Sequence, residues 1–373
     1  MKILLIASTP WSIISFRGKL ITSLINSRFE VHICAPFGNE YEHISSKLEN
    51  EYYVKTHDIN LKRASFNIKS DLVYIYELVS LIKLIRPDSI LSYTMKPVIF
   101  GSIVGWLLKT SSVNSIITGL GFLFSDSNSN RQKLVKFFGK YILKFGLRRN
   151  HNVIFQNHDD KDLFIDEGII NSSQNILVTN GSGVDLNYYS VKSLPSKPSF
   201  LLIARMIKNK GIYDYIEAIK IIKKSYPFIS FDLLGGVEKN IDAIPIENIN
   251  AWVSQNLITY HGEVADVRKA IEKCSIYVLP SYREGTPRSV LEAMSMGRPI
   301  ITTDVPGCKN TVINGVNGYL VEPMNPLSLA NAMEKLINNS NLRDEMGHSS
   351  RLLAEEKFND IEVAEKIVSQ LIT

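Results

Sequence analysis

Short apolar runs recur along this chain, alternating with stretches of helical periodicity, and in the first half strand, helix and strand follow at intervals of 25–30 residues. Ile3–Ala7, Val31–Ala35, Ile90–Ser92, Ser115–Thr118 and Val153–Gln156 read as buried strands. The stretches Lys19–Asn26 and Val98–Leu108 read as helices among them. A strand of a few residues that must connect in parallel to the next needs a long crossover, normally a helix, so this alternation predicts parallel sheets covered on both faces. The pattern is interrupted at 190–199, SVKSLPSKPS, where prolines and serines replace apolar residues, and this predicts a linker. It then restarts with strands at Phe200–Ala204, Ile229–Leu234, Ile258–Tyr260, Ile276–Leu279, Pro299–Thr302 and Gly318–Val321. A length of 373 residues fits two such domains. The expected fold is α/β: two doubly wound Rossmann-like domains, at 1–189 and 200–355, with residues 356–373 as a C-terminal helix returning to the first.

Composition excludes several classes. At 45% hydrophobic and 21% charged, the chain is neither disordered nor fibrous. Cys34, Cys274 and Cys308 are too far apart for a CxxC metal pair or a disulfide framework, which suits a reduced, cytoplasmic setting. The start lacks a signal-peptide pattern, and the longest apolar run, Pro97 to Leu108, is too short to span a bilayer at about 20 residues. Residues 1–190 hold 21 Lys and Arg against 16 Asp and Glu, so the net charge of +5 resides in the first half. That imbalance suits an anionic partner: nucleic acid, a phospholipid surface or a lipid-linked phosphate.

In doubly wound sheets ligands bind beyond the carboxyl ends of the strands, so the loops after strands hold the candidate site. After Phe200–Ala204 come Arg205 and Lys210-Gly211, two cations between a strand and a helix, suited to a phosphate-bearing ligand. After Ile276–Leu279 come Glu284, Gly285, Thr286, Pro287, Arg288, Ser289 and Glu292. Thr286 fits the cap of the next helix and Pro287 its first position, leaving the amides of Arg288 and Ser289 for a phosphate. Acidic side chains there can take paired hydrogen bonds from ribose hydroxyls.

These residues resemble the E-x7-E motif (Glu284, Glu292) and the R-x4-K-G segment (Arg205 to Gly211) of the retaining glycosyltransferases of family 4, which have the GT-B fold, two Rossmann-like domains facing across a cleft. VLPSYREGTPRSVLEAMSMGRPIITTDVPG and NGVNGYLV are similar to that family, and SFRG, SYTMKPVIFGS and ITGLGFLF resemble its capsule, O-antigen and lipid-linked oligosaccharide branch. The resemblance covers nearly the whole chain. It implies that Arg205 and Lys210 bind the donor diphosphate, Glu292 the ribose, and Glu284 the sugar near its reacting carbon. Gly262, Glu263 and Val264 would lie by the base. Gly18, on the loop after the first strand, would let that loop approach the diphosphate. Arg17 and Lys96 are candidates for the acceptor. Many relatives carry a histidine near the position of Met95, and no role of that histidine transfers to methionine.

The resemblance further implies a UDP-sugar donor, a polyprenyl-diphosphate-linked glycan acceptor, no cofactor and no metal. The leaving diphosphate would itself take the acceptor's proton, with Arg205, Lys210 and helix amides stabilising its charge. The D-x-D string at Asp160 and Asp162 reads as a helix-capping cluster. Residues 131–150 hold seven Lys and Arg, no acid and several aromatics; Lys133, Lys136, Lys140 and Lys144 recur at helical spacing, with Leu134, Phe138, Tyr141 and Phe145 as an adjoining stripe. This predicts a lysine face toward an anionic membrane, placing the protein on the inner face of the cytoplasmic membrane; packing of the stripe on the sheet is the alternative. Other readings are a nucleotide-sugar epimerase of the same fold and a nucleic-acid-binding protein, for which no recognised motif is present.

Overall fold

The computed structural model describes residues 1–62, 68–124, 130–238 and 242–372. The chain divides into two compact units, one of residues 1–182 with 361–373, the other of 183–360.

In the first unit β1 (Lys2–Ile6), α1 (Pro10–Asn26), β2 (Glu30–Ala35), α2 (Glu42–Tyr52), β3 (Lys55–Asp58), α3 (Ile68–Ile85), β4 (Ser89–Tyr93), α4 (Met95–Leu107), β5 (Ser112–Ile117), α5 (Asn130–Leu147), β6 (Asn152–Phe155), α6 (His158–Asp166) and β7 (Asn175–Val178) alternate strictly. Among the described residues the sheet is wholly parallel, in the order β3-β2-β1-β4-β5-β6-β7. The chain winds left from β1 and then right from β4. Right-handed crossovers therefore put α1 and α2 on one face and α3 to α6 on the other. The core divides accordingly. Leu20, Ile21, Leu24, Ile44 and Leu48 cover one face, while Leu78, Ile82, Val98, Val104, Leu143 and Leu147 cover the other.

The second unit alternates in the same way as far as β12, with β8 (Ser199–Ile203), α7 (Ile212–Ser225), β9 (Ser230–Leu234), α8 (Ile246–Ser254), β10 (Thr259–Tyr260), α9 (Arg268–Lys273), β11 (Ile276–Leu279), α10 (Arg288–Ser295) and β12 (Ile300–Thr303), and then runs through β13 (Gly318–Val321), α11 (Pro326–Ile337) and α12 (Ser340–Lys357). The described strands run in the order β10-β9-β8-β11-β12-β13. The last helix, α13 (Asp360–Ile372), joins the first unit, where Val363, Ala364, Ile367, Val368 and Leu371 pack with α1 and α2.

Three expectations change. Residues 190–199 are not a free linker but the opening of the second unit, fixed by buried Arg298, which donates to the carbonyls of Lys192 (2.9 Å) and Ser193 (3.1 Å). The strands β3, KTHD, and β7 escaped the sequence reading because both are sheet edges and β3 is polar. The first helix begins at Pro10 rather than Lys19, so Gly18 lies inside α1 and not on a loop. A Cβ there would stand 3.1 Å from the Tyr52 hydroxyl, so this glycine makes room for α2's last residue.

Candidate active site

The strand order of each sheet reverses once, between β1 and β4 in the first unit and between β8 and β11 in the second. At such a switch point the two flanking loops diverge to opposite faces and leave a crevice above the strand ends. The second unit's switch point is where Lys210 and Glu284 meet, with Arg205 on the same loop after β8.

The loop after β8 is bent back onto the loop after β11. Tyr282 donates its amide to the Asn209 carbonyl at 2.9 Å, and the Ser281 hydroxyl donates to the same oxygen at 3.2 Å. This close approach depends on Gly211, whose φ is +68°; a Cβ would lie 1.9 Å from the Pro280 carbonyl oxygen. Glycine after Lys210 is thus a geometric requirement. From the other side the Glu284 amide donates to the Pro306 carbonyl at 3.2 Å, and Gly307, with φ +82°, leaves room for the Glu284 carbonyl. Held from both sides, Glu284 forms an ion pair with the Lys210 ammonium, both side chains being largely buried. Its charge, after the larger effect of burial, also helps push the Cys308 thiol up to about 12.

Arg205 lies more in the open and pairs with Glu238 at 3.1 Å. Further along the row of strand ends, Gly235, with φ +139°, donates its amide to the Gly262 carbonyl at 2.8 Å, joining the loops after β9 and β10. Gly262, with φ +67°, has open space where a Cβ would be, and Val264 is exposed beyond it.

The expected cap of α10 is corrected. Pro287 occupies the cap position and accepts from the amides of Val290 and Leu291, while the Thr286 hydroxyl bonds to the Gly285 carbonyl. Proline at the cap leaves Thr286 one residue too early to reach an N2 or N3 amide. The Ser289 hydroxyl donates to the Ile203 carbonyl at 3.3 Å, tying α10 to the end of β8.

Glu292 stands on the inner side of α10, where burial raises its carboxyl above the ordinary range against the opposing effect of Arg288. It accepts from the Tyr189 hydroxyl at 2.9 Å and from Arg288 Nε at 3.3 Å; Arg288 also donates to the Gly183 carbonyl at 2.8 Å. Sequence reasoning missed Tyr189, because it lies 103 positions away and borders the stretch read as a linker. It also missed Asp214, in the first turn of α7, whose carboxyl is raised above the ordinary range by burial against the opposing effect of Tyr282.

In the first unit the candidates are placed differently. Lys96 keeps only 11% of its side chain exposed, with Nζ 2.6 Å from Asp71 and 2.9 Å from the Lys62 carbonyl, so it is committed to a largely internal ion pair. Arg17 is buried with its guanidinium 4.9 Å above the Tyr93 ring. Tyr93 in turn shares a hydrogen bond with Ser12. Thr94, at this unit's switch point, has a φ of +69° and donates to the Ser8 hydroxyl at 2.8 Å. A β-branched residue in that region is strained, and such strain gathers at functional loops. Asp160 is a helix-start residue whose amide donates to Asn157, the cap of α6, at 2.7 Å.

The four lysines of α5 do not share an outer face. Lys136 is buried, Lys140 pairs with Glu167 at 2.6 Å, and of the four only Lys133 is exposed rather than half-buried or buried. The aromatic stripe points outward instead, because α5 packs by its glycines, as described below. The three cysteines are free and buried. Among the described residues no helix is long and apolar enough to cross a membrane, and no cluster of His, Cys, Asp and Glu suits a metal ion.

Residues 2–157 match the model of the glycosyl transferase 4-like family, and residues 197–339 that of glycosyl transferases group 1. The chain is a family 4-like glycosyltransferase. A similar protein is the N,N'-diacetylbacillosaminyl-diphospho-undecaprenol alpha-1,3-N-acetylgalactosaminyltransferase of Campylobacter jejuni, 26% identical over 92% of this chain and 91% of that one. The capsular polysaccharide biosynthesis glycosyltransferase CapM of Staphylococcus aureus is 25% identical over 100% of this chain and 97% of its own. Among solved structures, Anabaena HepE in complex with UDP-glucose superimposes with a TM-score of 0.78, at 18% identity, over 100% of this chain and 99% of that chain. The fold of this glycosyltransferase is therefore GT-B.

Proposed function

We propose that this glycosyltransferase moves a hexose or N-acetylhexosamine from a UDP-sugar, with retention of configuration, to a prenyl-diphosphate-linked glycan of a surface polysaccharide. The observation that carries the reading is the Lys210–Glu284 pair at the switch point, flanked by Arg205 and by the buried Glu292. A donor diphosphate entering there exchanges Lys210's carboxylate partner for phosphate oxygens, and Arg205 follows from Glu238. Lys210 then stands where negative charge grows as the bond between sugar carbon and phosphate oxygen breaks, which is the form of stabilisation that lowers a barrier. Glu284, released from Lys210 but still held by the 306–307 backbone, faces the sugar. The acceptor hydroxyl attacks the same face and passes its proton to the departing diphosphate oxygen. Glu292, kept in place by Tyr189 and Arg288, accepts from the ribose hydroxyls.

The acceptor is assigned to the first unit, at the loops around Ser8 and Thr94. The lipid-linked acceptor of the Campylobacter jejuni relative supports an acceptor of that kind here, with the enzyme peripheral on the cytoplasmic side of the membrane. A panel of UDP-sugars tested for thermal stabilisation, then for transfer to a short-chain prenyl-diphosphate sugar, checks the reading. Proton NMR of the first product reads the anomer. Saturating UDP raises the midpoint, since binding at 100 times Kd adds about 2.7 kcal/mol. The absence of any shift, or an inverted anomer, overturns it.

A further inference from the structure

The helix α5 is inside out. Leu134, Phe137, Phe138, Tyr141 and Ile142 are exposed, Phe137 and Tyr141 by about two-thirds (67% and 65%), whereas Lys136 on the opposite side is 6% exposed. The inner side carries Gly139, Leu143, Gly146 and Leu147. A Cβ at Gly139 would lie 2.4 Å from Leu123, and one at Gly146 would lie 3.2 Å from the Ser102 Cβ and 3.3 Å from the Ile99 carbonyl, so the glycines seat α5 directly on its neighbours. The outward aromatics are the consequence of a packed register, and water is a poor partner for them.

The patch extends onto the end of α4, where Trp106 and Leu107 are exposed. Trp106 meets Phe145 edge to face, with ring centroids 5.8 Å apart, and the Arg149 guanidinium lies 4.3 Å from one ring and 3.6 Å from the other. Lys109, Lys133 and Arg148 add further cations, and neither Met95–Phe124 nor Asn130–Phe155 contains an acid. Lys140 is neutralised by Glu167 and faces the Phe124 ring. An apolar, aromatic centre with a cationic border is complementary to a bilayer surface bearing anionic headgroups.

We infer that the outer face of α4 and α5 is the membrane-docking surface of this enzyme, inserting Phe137, Phe138, Tyr141, Trp106 and Leu107 among lipid chains while Lys133, Arg148 and Arg149 meet headgroup phosphates. The purpose assigned to it rests on the lipid-linked acceptor proposed above; the surface itself rests on the exposed side chains. It replaces the lysine face expected from the sequence, and it differs from it in a measurable way. Insertion of aromatics resists salt, whereas a lysine face is screened.

The test is flotation of the full chain with vesicles of phosphatidylcholine containing roughly one-third phosphatidylglycerol. The double variant F137S/Y141S changes exposed positions only. It is expected to lose at least about tenfold in partition constant, one buried aromatic being worth that much or more. The parent retains most of its binding in about 0.5 M NaCl, where the Debye length is only a few ångströms. In a W11F background, brominated lipid quenches Trp106; the remaining tryptophan, Trp252, is buried. Unchanged flotation of F137S/Y141S, or loss of the parent's binding in salt, overturns the proposal. So does a concentration-dependent dimer in sedimentation that the variant abolishes, which would make the occupant a second copy. UDP affinity, measured without vesicles, stays at the parent value in F137S/Y141S. A loss of UDP binding by the parent itself would instead count against the proposed donor reaction and leave docking standing.

Discussion

Removing Lys210 separates the role the structure shows, as partner of Glu284, from the role proposed for it, as partner of the donor. In Lys210→Met the Glu284 carboxylate keeps its buried position, with 14% of its side chain exposed, and loses its counter-charge. An orphaned buried charge costs about 3–5 kcal/mol; the residual access to water brings this one just below that range, to about 2–3 kcal/mol. For a unit of this size each kcal/mol lowers the midpoint by about 2–4 °C, so a fall of roughly 4–12 °C is expected in differential scanning calorimetry. The double variant Lys210→Met with Glu284→Gln removes both charges, and most of that loss returns. UDP affinity behaves otherwise. A charge-assisted hydrogen bond is worth about 1.5–3 kcal/mol, so both the single and the double variant bind UDP roughly tenfold to a hundredfold more weakly in titration calorimetry. The reasoning is refuted if the double variant regains UDP affinity together with stability, because Lys210 would then serve only to neutralise Glu284.

Glu284→Gln alone is expected to lower kcat with little change in UDP affinity, whereas Glu292→Gln mainly raises the donor KM, since the ribose is held equally in ground and transition states; identical kinetic profiles would sink that division. Gly211→Ala sets a methyl 1.9 Å from the Pro280 carbonyl in a left-handed backbone, so thermal unfolding should show a loss of at least about 2 kcal/mol, with weakened UDP binding. His32 and His57 share a hydrogen bond at 2.9 Å, and burial lowers both below the ordinary imidazole value of 6.5. Glu30 and Lys55 beside His32, and Glu49 and Lys55 beside His57, shape that balance. The unfolded chain therefore binds more protons, and the stability these residues contribute is complete above pH 6.5 and falls as the pH drops toward the lowered folded values. His57→Gln should flatten the midpoint-against-pH curve in that window, and an unaltered slope would exclude the pair as its source.

Much of the candidate site was legible because the residue types that compose it are clustered locally in the sequence. Lys210-Gly211 after one apolar run, and Glu284 with Glu292 after another, follow from strand periodicity and from the rule that ligands gather beyond strand ends. The alternation of elements likewise points to two parallel sheets, since a parallel connection needs a long crossover, usually a helix. Partners distant along the chain were not legible: Tyr189 against Glu292, Glu238 against Arg205 and Asp71 against Lys96 are chosen by the way strands and loops are brought side by side. Gly18 shows the same limit, because a glycine within SFRG reads as a loop until α1 is seen to start at Pro10 and to need space for Tyr52.

The helix α5 shows most plainly where sequence ends and tertiary structure begins. Its periodicity determines that Lys133, Lys136, Lys140 and Lys144 recur along one side and Leu134, Phe138, Tyr141 and Phe145 along the next. Periodicity defines faces, but it does not say which face turns to the sheet. Hydrophobicity alone would bury the aromatics. The close seats offered by Leu123, Ile99 and Ser102 accept a backbone without side chains, so Gly139 and Gly146 go inward and the aromatic rings are left outside. Only the packed structure contains that competition, because it is decided by the shape of the neighbours.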